Sequence, residues 1–423
     1  MKVNLVSLGC PKNLVDSENI LGALGAAGTV ICALPEESDV IIINTCGFIV
    51  PAIEETEQTI REMMKYANNG KRVFVIGCAV NRCGDELKRK FPGVSAWFGI
   101  EDERKMIASI KEEAASIESR LPTTRGYAYL KISEGCSNHC AYCTIPSIKG
   151  PFRSFDYNKI VEEAYELAKL GIKELILIGQ DTTRYGSDLF GKSMLQPLLH
   201  DLSQIPGIEW LRIMYAHPKT IDEKIIDEIE HNPKVCKYID LPIQHINDRI
   251  LNLMNRDTGR DRIVTTMARL KKVRDIVIRT TVIVGYPSES DDEFNELMEF
   301  VEAGYIDWLG VFPYFREPGT NAAEFDQLPD NLIEARYKRA TAIQQRLVKQ
   351  NNREREGDVC KVLVHAREGE FIGHTEFAAP EIDSRVFIKD NTLELGKYYD
   401  VRITTTSEYD LQGELACGRN GAC

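Results

Sequence analysis

The chain has 423 residues, of which 43% are hydrophobic and 27% charged, with a formal net charge of −12. That length supports about two to four domains, and no apolar run approaches the roughly eighteen residues that a membrane span needs. The acidic balance argues against a protein whose affinity rests on neutralising phosphates, and fits a basic partner or no charged macromolecular partner.

The opening "MKVNLVSLGC" reads as a strand and lacks the pattern of a cleaved signal peptide, so the cytoplasm is the expected compartment. Over the first hundred or so residues, "VNLVSLG" (3–9), "DVIIINT" (39–45) and "RVFVIG" (72–77) are apolar, β-branched runs of strand length. Helix-like segments such as "SENILGALGAAG" and "PAIEETEQTIREMMKYANNG" separate them. Fully apolar strands alternating with helices predict a parallel sheet covered on both faces, a Rossmann-like α/β unit. The polar stretch 111–126 reads as the end of a helix followed by a linker.

From 127 to about 320 the alternation repeats six times, with strands predicted at 127–133, 174–179, 209–216, 237–244, 277–285 and 308–315. The helix "DYNKIVEEAYELAKLG" opens on an Asp cap and closes at Gly171. Six βα units are too few for a closed eight-stranded barrel, so a partial TIM-type (β/α)6 barrel is expected, with its site at the C-terminal strand ends. The helical stretch 329–355 is mixed in charge and reads as a solvated connector. Beyond 358, short strands joined by Gly and Asp turns predict a small all-β, OB-like barrel. The expected units are 1–118, 122–352 and 355–420.

In a reducing compartment, twelve cysteines are better read as metal ligands or catalytic groups than as disulfides. Cys136, Cys140 and Cys143 fall within "GCSNHCAYC", a C-x3-C-x2-C spacing just after the first barrel strand. A structural zinc site would want a fourth ligand, for which His139 is the nearest candidate. Three thiolates without a fourth suit an iron–sulfur cluster with one open iron. Cys10, Cys46 and Cys78 each close one N-terminal strand, in "SLGC", "INTC" and "VIGC". Parallel strands put their C-terminal ends on one edge, so these distant thiols are expected to converge on a second, auxiliary cluster site. Cys32, Cys83, Cys236, Cys360, Cys417 and Cys423 lack partners at useful spacing, and Cys83 is the only tempting extra ligand.

The C-x3-C-x2-C spacing, with Tyr142 before its third Cys, resembles the radical S-adenosylmethionine (SAM) superfamily. That resemblance implies SAM chelated to the open iron and a 5′-deoxyadenosyl radical made by one-electron reduction. Two three-Cys sites, an α/β N-terminal domain, a partial barrel and a terminal β-barrel together resemble the methylthiotransferases, over nearly the whole chain. In that family the terminal domain is called TRAM. The resemblance implies two 4Fe-4S clusters, one carrying the sulfur to be inserted and one making the radical, with SAM as both methyl donor and radical source. It also implies an electron donor.

The family divides by substrate. "SLGCPKNLVDSE" (7–18) and "GHTEFAAPEID" (373–383) look like the branch that modifies the β-carbon of an aspartate in a small-subunit ribosomal protein, although that branch commonly has Arg where His374 stands. The alternative is methylthiolation of an adenosine in tRNA, whose branch more typically shows Gln-Met-Asn after the first Cys. Residues 355–423 hold 8 Lys and Arg against 13 Asp and Glu, a net of −5. An acidic terminal barrel suits a basic ribosomal protein and makes tRNA the less favoured partner. By the same resemblance, Tyr142, Gln180, Arg279 and Gly285 are the expected SAM contacts, although a loop amide, a buried ion pair and a turn glycine explain the last three equally well. His217 and His245 also end strands and read as structural histidines.

Overall fold

The computed structural model describes residues 1–390 and 392–416; Cys417 and Cys423 lie outside the described residues. The N-terminal sheet holds β1 (Lys2–Ser7), β2 (Val30–Ile31), β3 (Val40–Thr45), β4 (Arg72–Gly77) and β5 (Ala96–Phe98), all parallel, in the order β2-β1-β3-β4-β5. The three predicted strands form its centre. In β3 the fully buried run splits by alternation: Val40 and Ile42 enter one core with Leu24 and Ile107, while Ile41 and Ile43 enter another with Ile60 and Val75. That is why the run is continuously apolar. The edge strands β2 and β5 have two and three residues, too few for a periodic signal.

The second sheet adds β6 (Tyr127–Lys131), a small antiparallel pair of β7 (Ser133–Glu134) and β8 (Arg153–Ser154), then β9 (Glu174–Ile178), β10 (Trp210–Ile213), β11 (Val235–Asp240), β12 (Val277–Val284) and β13 (Trp308–Pro313). Its six main strands run parallel in the order β13-β12-β11-β10-β9-β6 without closing. Leu175, Leu177, Leu211, Ile213, Ile239 and Ile278 face the surrounding helices. Asp156 caps the helix Tyr157–Lys169, accepting from the Lys159 amide at 3.0 Å.

A closed five-stranded barrel ends the chain: β14 (Val359–Glu368), β15 (Glu370–Thr375), β16 (Val386–Ile388), β17 (Lys397–Thr406) and β18 (Leu411–Leu415). The segment after β15 stoppers the lumen of the open barrel at the N-terminal ends of its strands. Arg212 donates to the Glu376 carbonyl at 2.8 Å, Trp308 Nε1 to the Phe377 carbonyl at 2.8 Å, Tyr127 to Glu381 at 2.9 Å and Tyr238 to Asp383 at 2.7 Å. His374 is also buried here, paired with Glu174, which takes Arg212 Nε at 2.7 Å. The N-terminal domain covers the opposite end, so the two small domains sit at opposite ends of one lumen.

Two expectations need correction. The helix Asp330–Arg353 is more than a solvated connector: Arg336, Ala340 and Val348 are buried, and Arg336 ties it to Glu289 and Asp291, both at 2.6 Å. It packs against β13, the open edge of the sheet, which needed cover. The segment 111–126 carries a 3-10 turn at Glu112–Ser116 and is tied down by Arg120, which donates to Glu18 at 2.8 Å. No helix among the described residues is long and apolar enough to cross a membrane.

Candidate metal centres

Gly135 opens the loop carrying the barrel cysteines in a left-handed conformation (φ +70°), where a Cβ would collide with the Pro151 carbonyl oxygen. Only glycine tolerates both demands. The loop is then held by backbone bonds: the Cys136 amide donates to Gly150 at 3.1 Å, Ala141 to Met254 at 2.8 Å and Cys143 to Cys140 at 3.0 Å. The Asn138 amide donates to Cys136 Sγ at 3.4 Å, and Arg256 Nη1 lies 3.8 Å from Cys140 Sγ. Burial, opposed by the Ile145 amide and helped by the neighbouring Cys140 and Cys136, takes the Cys143 thiol up to about 12. Burial also raises Cys136, with Cys140 adding to it. A thiolate is the form that ligates a metal, so a bound metal would offset the cost of ionising Cys136 and Cys143 in this setting. His139 is exposed, and its carbonyl accepts from Asn255 at 2.7 Å.

The N-terminal cysteines do converge. The register pairs Ser7 with Asn44 and Thr45 with Gly77, so β1, β3 and β4 end level. A Cβ on Gly9 (φ +85°) would stand 2.6 Å from Cys46 Cβ. Burial raises the Cys46 thiol and the charge of Cys10 raises it further. Burial takes Cys78 up to about 12, with Cys10 and Cys46 adding to the rise and Lys149 opposing it. Cys83 stands apart at a kink in the helix Cys78–Lys90, its thiol on the Ala79 carbonyl at 3.3 Å.

The two triads face each other. Thr144, next to Cys143, donates to the carbonyl of Phe48, two residues past Cys46, at 2.8 Å. Arg82 clamps the same turn, donating to Gly47 at 2.9 Å and to Glu317 of the barrel at 2.5 Å. Between the triads lies a buried charge network. Lys131 pairs with Asp16 and with Glu134 (2.9 Å), and Lys149 with Glu134 (3.2 Å). Burial alone would raise Glu134, but Lys131 and Lys149 outweigh it and hold the carboxyl at about 2. Gln180 Nε2 donates to Glu134 at 3.3 Å, while its Oε1 is buried with no partner among the described residues. Ser133 Oγ, Asp181 Oδ2, Arg256 Nε and the Tyr314 hydroxyl are in the same condition. Buried polar atoms are normally satisfied, so this mouth is chemically suited to a polar ligand such as SAM, and the thiol sets suit iron–sulfur clusters.

Tyr142 packs edge-on against Tyr286 with ring centroids 6.5 Å apart, beside Cys140. Arg279 and Gly285 meet the chain itself. Arg279 pairs with Asp240 at 2.9 Å and with Asp383 of the terminal domain at 3.3 Å. Gly285 (φ +73°) donates its amide to Glu289 at 2.8 Å, and a Cβ there would stand 2.9 Å from Ile333. The buried ion pair and the turn glycine are therefore what the geometry presents at these positions. His217 and His245 are buried and accept from the Lys219 and Asn247 amides. Burial, with Arg256 next, holds His217 neutral, down to about 2. Sequence reasoning missed Lys12, Arg256 and the Lys131–Lys149 network, none of which carries a spacing signal.

Three family models match in succession: Uncharacterized protein family UPF0004 over residues 2–99, the Radical SAM superfamily over 130–301 and the TRAM domain over 357–416. Among solved structures, the chain resembles the radical SAM methyltransferase TsrM of Kitasatospora setae with a TM-score of 0.55 at 13% identity, covering 74% of each chain. It also resembles the cobalamin-dependent SAM radical enzyme OxsB, with a TM-score of 0.51 at 12% identity, covering 82% of this chain and 56% of that one. These likenesses speak to the fold. The ribosomal protein uS12 methylthiotransferase RimO of Clostridium acetobutylicum is 43% identical over 98% of both chains, and that of Aquifex aeolicus 42% identical over 98% of this chain and 97% of its own. With two facing thiol triads on this fold and that identity along nearly its whole length, the chain belongs to the RimO family of radical SAM methylthiotransferases.

Proposed function

We propose that this protein attaches a methylthio group to the β-carbon of an aspartate in ribosomal protein uS12, using SAM and two 4Fe-4S clusters. Cys136, Cys140 and Cys143 hold one cluster and Cys10, Cys46 and Cys78 the other. The observation that carries this reading is the opposition of the two three-thiol sets, joined by the Thr144–Phe48 hydrogen bond. When bound, the clusters and SAM supply the electron, the radical, the sulfur and the methyl group.

The chain's own residues bind, orient and shield. Gln180 offers its unpartnered Oε1 to a ligand donor, and Tyr142 walls the site beside Cys140. Arg279 and Gly285 act behind this wall, as supports. Arg82 and Glu317 hold the N-terminal domain over the barrel mouth, which keeps water from the reacting atoms. The acidic terminal barrel favours a basic ribosomal protein over a nucleic acid backbone. The work is cytoplasmic and draws on an external electron donor. Anaerobic incubation of the reconstituted enzyme with SAM, reductant and uS12, followed by mass spectrometry, is expected to show a gain of one S–CH3 group. No gain with both clusters loaded overturns the reading, and methylthioadenosine in tRNA digests would replace it with the tRNA reaction.

A further inference from the structure

Buried cations are normally paired with anions, and Lys131 and Lys149 at the barrel mouth follow that rule. Lys12 does not. It is 7% exposed, and its ammonium makes one hydrogen bond, to the Gly179 carbonyl at 3.2 Å. Below it lies the face of Tyr215, with the ring centroid 3.4 Å away. Both neighbours are uncharged. An ammonium has three N–H donors, and a ring face offsets part of the desolvation cost without neutralising the charge.

The setting is built rather than incidental. Lys12 lies two residues after Cys10, and Gly179 follows β9 directly, next to Gln180 with its unpartnered Oε1. Tyr215 follows β10 with φ +57°, an uncommon conformation for an aromatic residue, and Asp240 accepts its amide at 3.0 Å. Such strain persists where surrounding structure over-determines it. Here it holds the ring beneath the ammonium, between the N-terminal triad and the C-terminal ends of β9 and β10.

We propose that Lys12 is a carboxylate receptor, and that the carboxylate is the side chain of the aspartate to be modified. This rests on the function proposed above. In an aspartate the carboxylate is bonded to the β-carbon, so an ammonium that grips it fixes the reacting C–H bonds between the two triads. A neutral base would gain nothing from this charge. Lys12 is thus a positioning and specificity-determining residue. The other carboxylate available at this mouth is that of SAM itself, and the test separates the two.

The test measures anaerobic equilibrium binding of uS12 and, separately, of SAM to the holoenzyme. It compares uS12 carrying its target aspartate with the Asp→Asn form, on wild type, Lys12→Met and Lys12→Arg. A charge-assisted hydrogen bond predicts that wild type prefers the aspartate form by roughly tenfold or more. Lys12→Met is expected to abolish the preference and Lys12→Arg to retain it, with SAM affinity and iron content held in both. A wild type that binds both forms equally overturns the aspartate assignment with no enzyme variant needed. Loss of SAM affinity in Lys12→Met, with uS12 discrimination intact, assigns the receptor to SAM and overturns the aspartate source. No change in either affinity overturns the receptor altogether. A wild type that methylthiolates no uS12 is a failure of the function itself, and is read by mass spectrometry rather than by binding.

Discussion

The two thiol triads reach the same chemistry by different routes. In the barrel, Cys136, Cys140 and Cys143 sit on one short loop whose shape is set by Gly135 and a few backbone hydrogen bonds. In the N-terminal domain, Cys10, Cys46 and Cys78 come together only because β1, β3 and β4 end level in a parallel sheet. The first site is a property of a peptide segment, the second of a sheet register. A one-residue slip in β3 would displace Cys46 from the edge while leaving the barrel loop intact. Cys78 is buried and the other five cysteines are half-buried, yet Cys78 and Cys143, one from each site, are both driven up to about 12, with burial as the leading cause.

The strongest way to break this comparison is to empty each site separately. Replacing all three cysteines of one triad by alanine is expected to remove about four irons per chain and leave about four, by anaerobic iron and sulfide quantitation. The barrel variant should lose SAM cleavage to 5′-deoxyadenosine, whereas the N-terminal variant should keep cleavage and lose only the methylthio product. If each triple substitution empties both sites, the triads are one cooperative unit and the distinction drawn here fails.

Single glycines test the two routes at their weak points. Gly9→Ala would force a Cβ to 2.6 Å from Cys46 Cβ, in a left-handed conformation that costs alanine ~1–2 kcal/mol by itself. It is expected to lower iron at the N-terminal site alone. Gly135→Ala drives a Cβ onto the Pro151 carbonyl and is expected to do the reverse. Retention of full iron in both would show that the loops yield to the clusters rather than shape them.

A change remote from both triads supplies the contrast. Burial would raise the Glu174 carboxyl, but Arg212 and His374 outweigh it and hold it at about 2. Its folded pKa is below the unfolded carboxylate value of about 4.3, so its contribution to stability is present above that pH. That contribution is lost as pH falls from about 4 through about 2. Thermal unfolding of the apoprotein across this window should show the loss in wild type and not in Glu174→Gln. At neutral pH that variant leaves Arg212 without its carboxylate partner, at a cost of roughly 3–5 kcal/mol, while iron incorporation at both triads stays unchanged.

The smallest effect concerns Arg256, whose guanidinium lies 3.8 Å from Cys140 Sγ. A nearby positive charge favours the reduced, more negative cluster. Arg256→Gln should make the barrel cluster harder to reduce and slow SAM cleavage several-fold, leaving the N-terminal potential in place. Spectroelectrochemical titration reads both; an equal shift at the two clusters would mean that the charge acts across the mouth rather than locally.

Much of this is legible in the sequence. β3 and β4 read as strands because burial on two faces demands continuous β-branched apolar residues, and that demand is written locally. The strand-end position of Cys10, Cys46 and Cys78 was enough to place them on one edge. Arg279 read differently: a lone arginine near a strand end suits a ligand carboxylate as well as an internal one, and its partner Asp383 lies more than a hundred residues away, in another domain. Gly285 has the same ambiguity in sequence, since a left-handed glycine beside a cofactor and one beside Ile333 look alike in one dimension. His374, which departs from the arginine common in its family branch, finds a buried carboxylate in Glu174 of the neighbouring domain.

The long strands, the parallel sheets, the terminal β-barrel and the strand-end placing of the cysteines can thus be read from the sequence alone. Each of these depends on periodicity, spacing or position relative to a strand end, and those are one-dimensional quantities. What the packing of the domains adds is that the two triads face each other, that the terminal domain stoppers the lumen with Thr375–Asp383, and that Lys12 is buried with no counter-charge among the described residues. These depend on which charges and hydrogen-bonding groups become neighbours when separate domains pack. Electrostatic pairing follows distance in space, and distance along the chain does not report it.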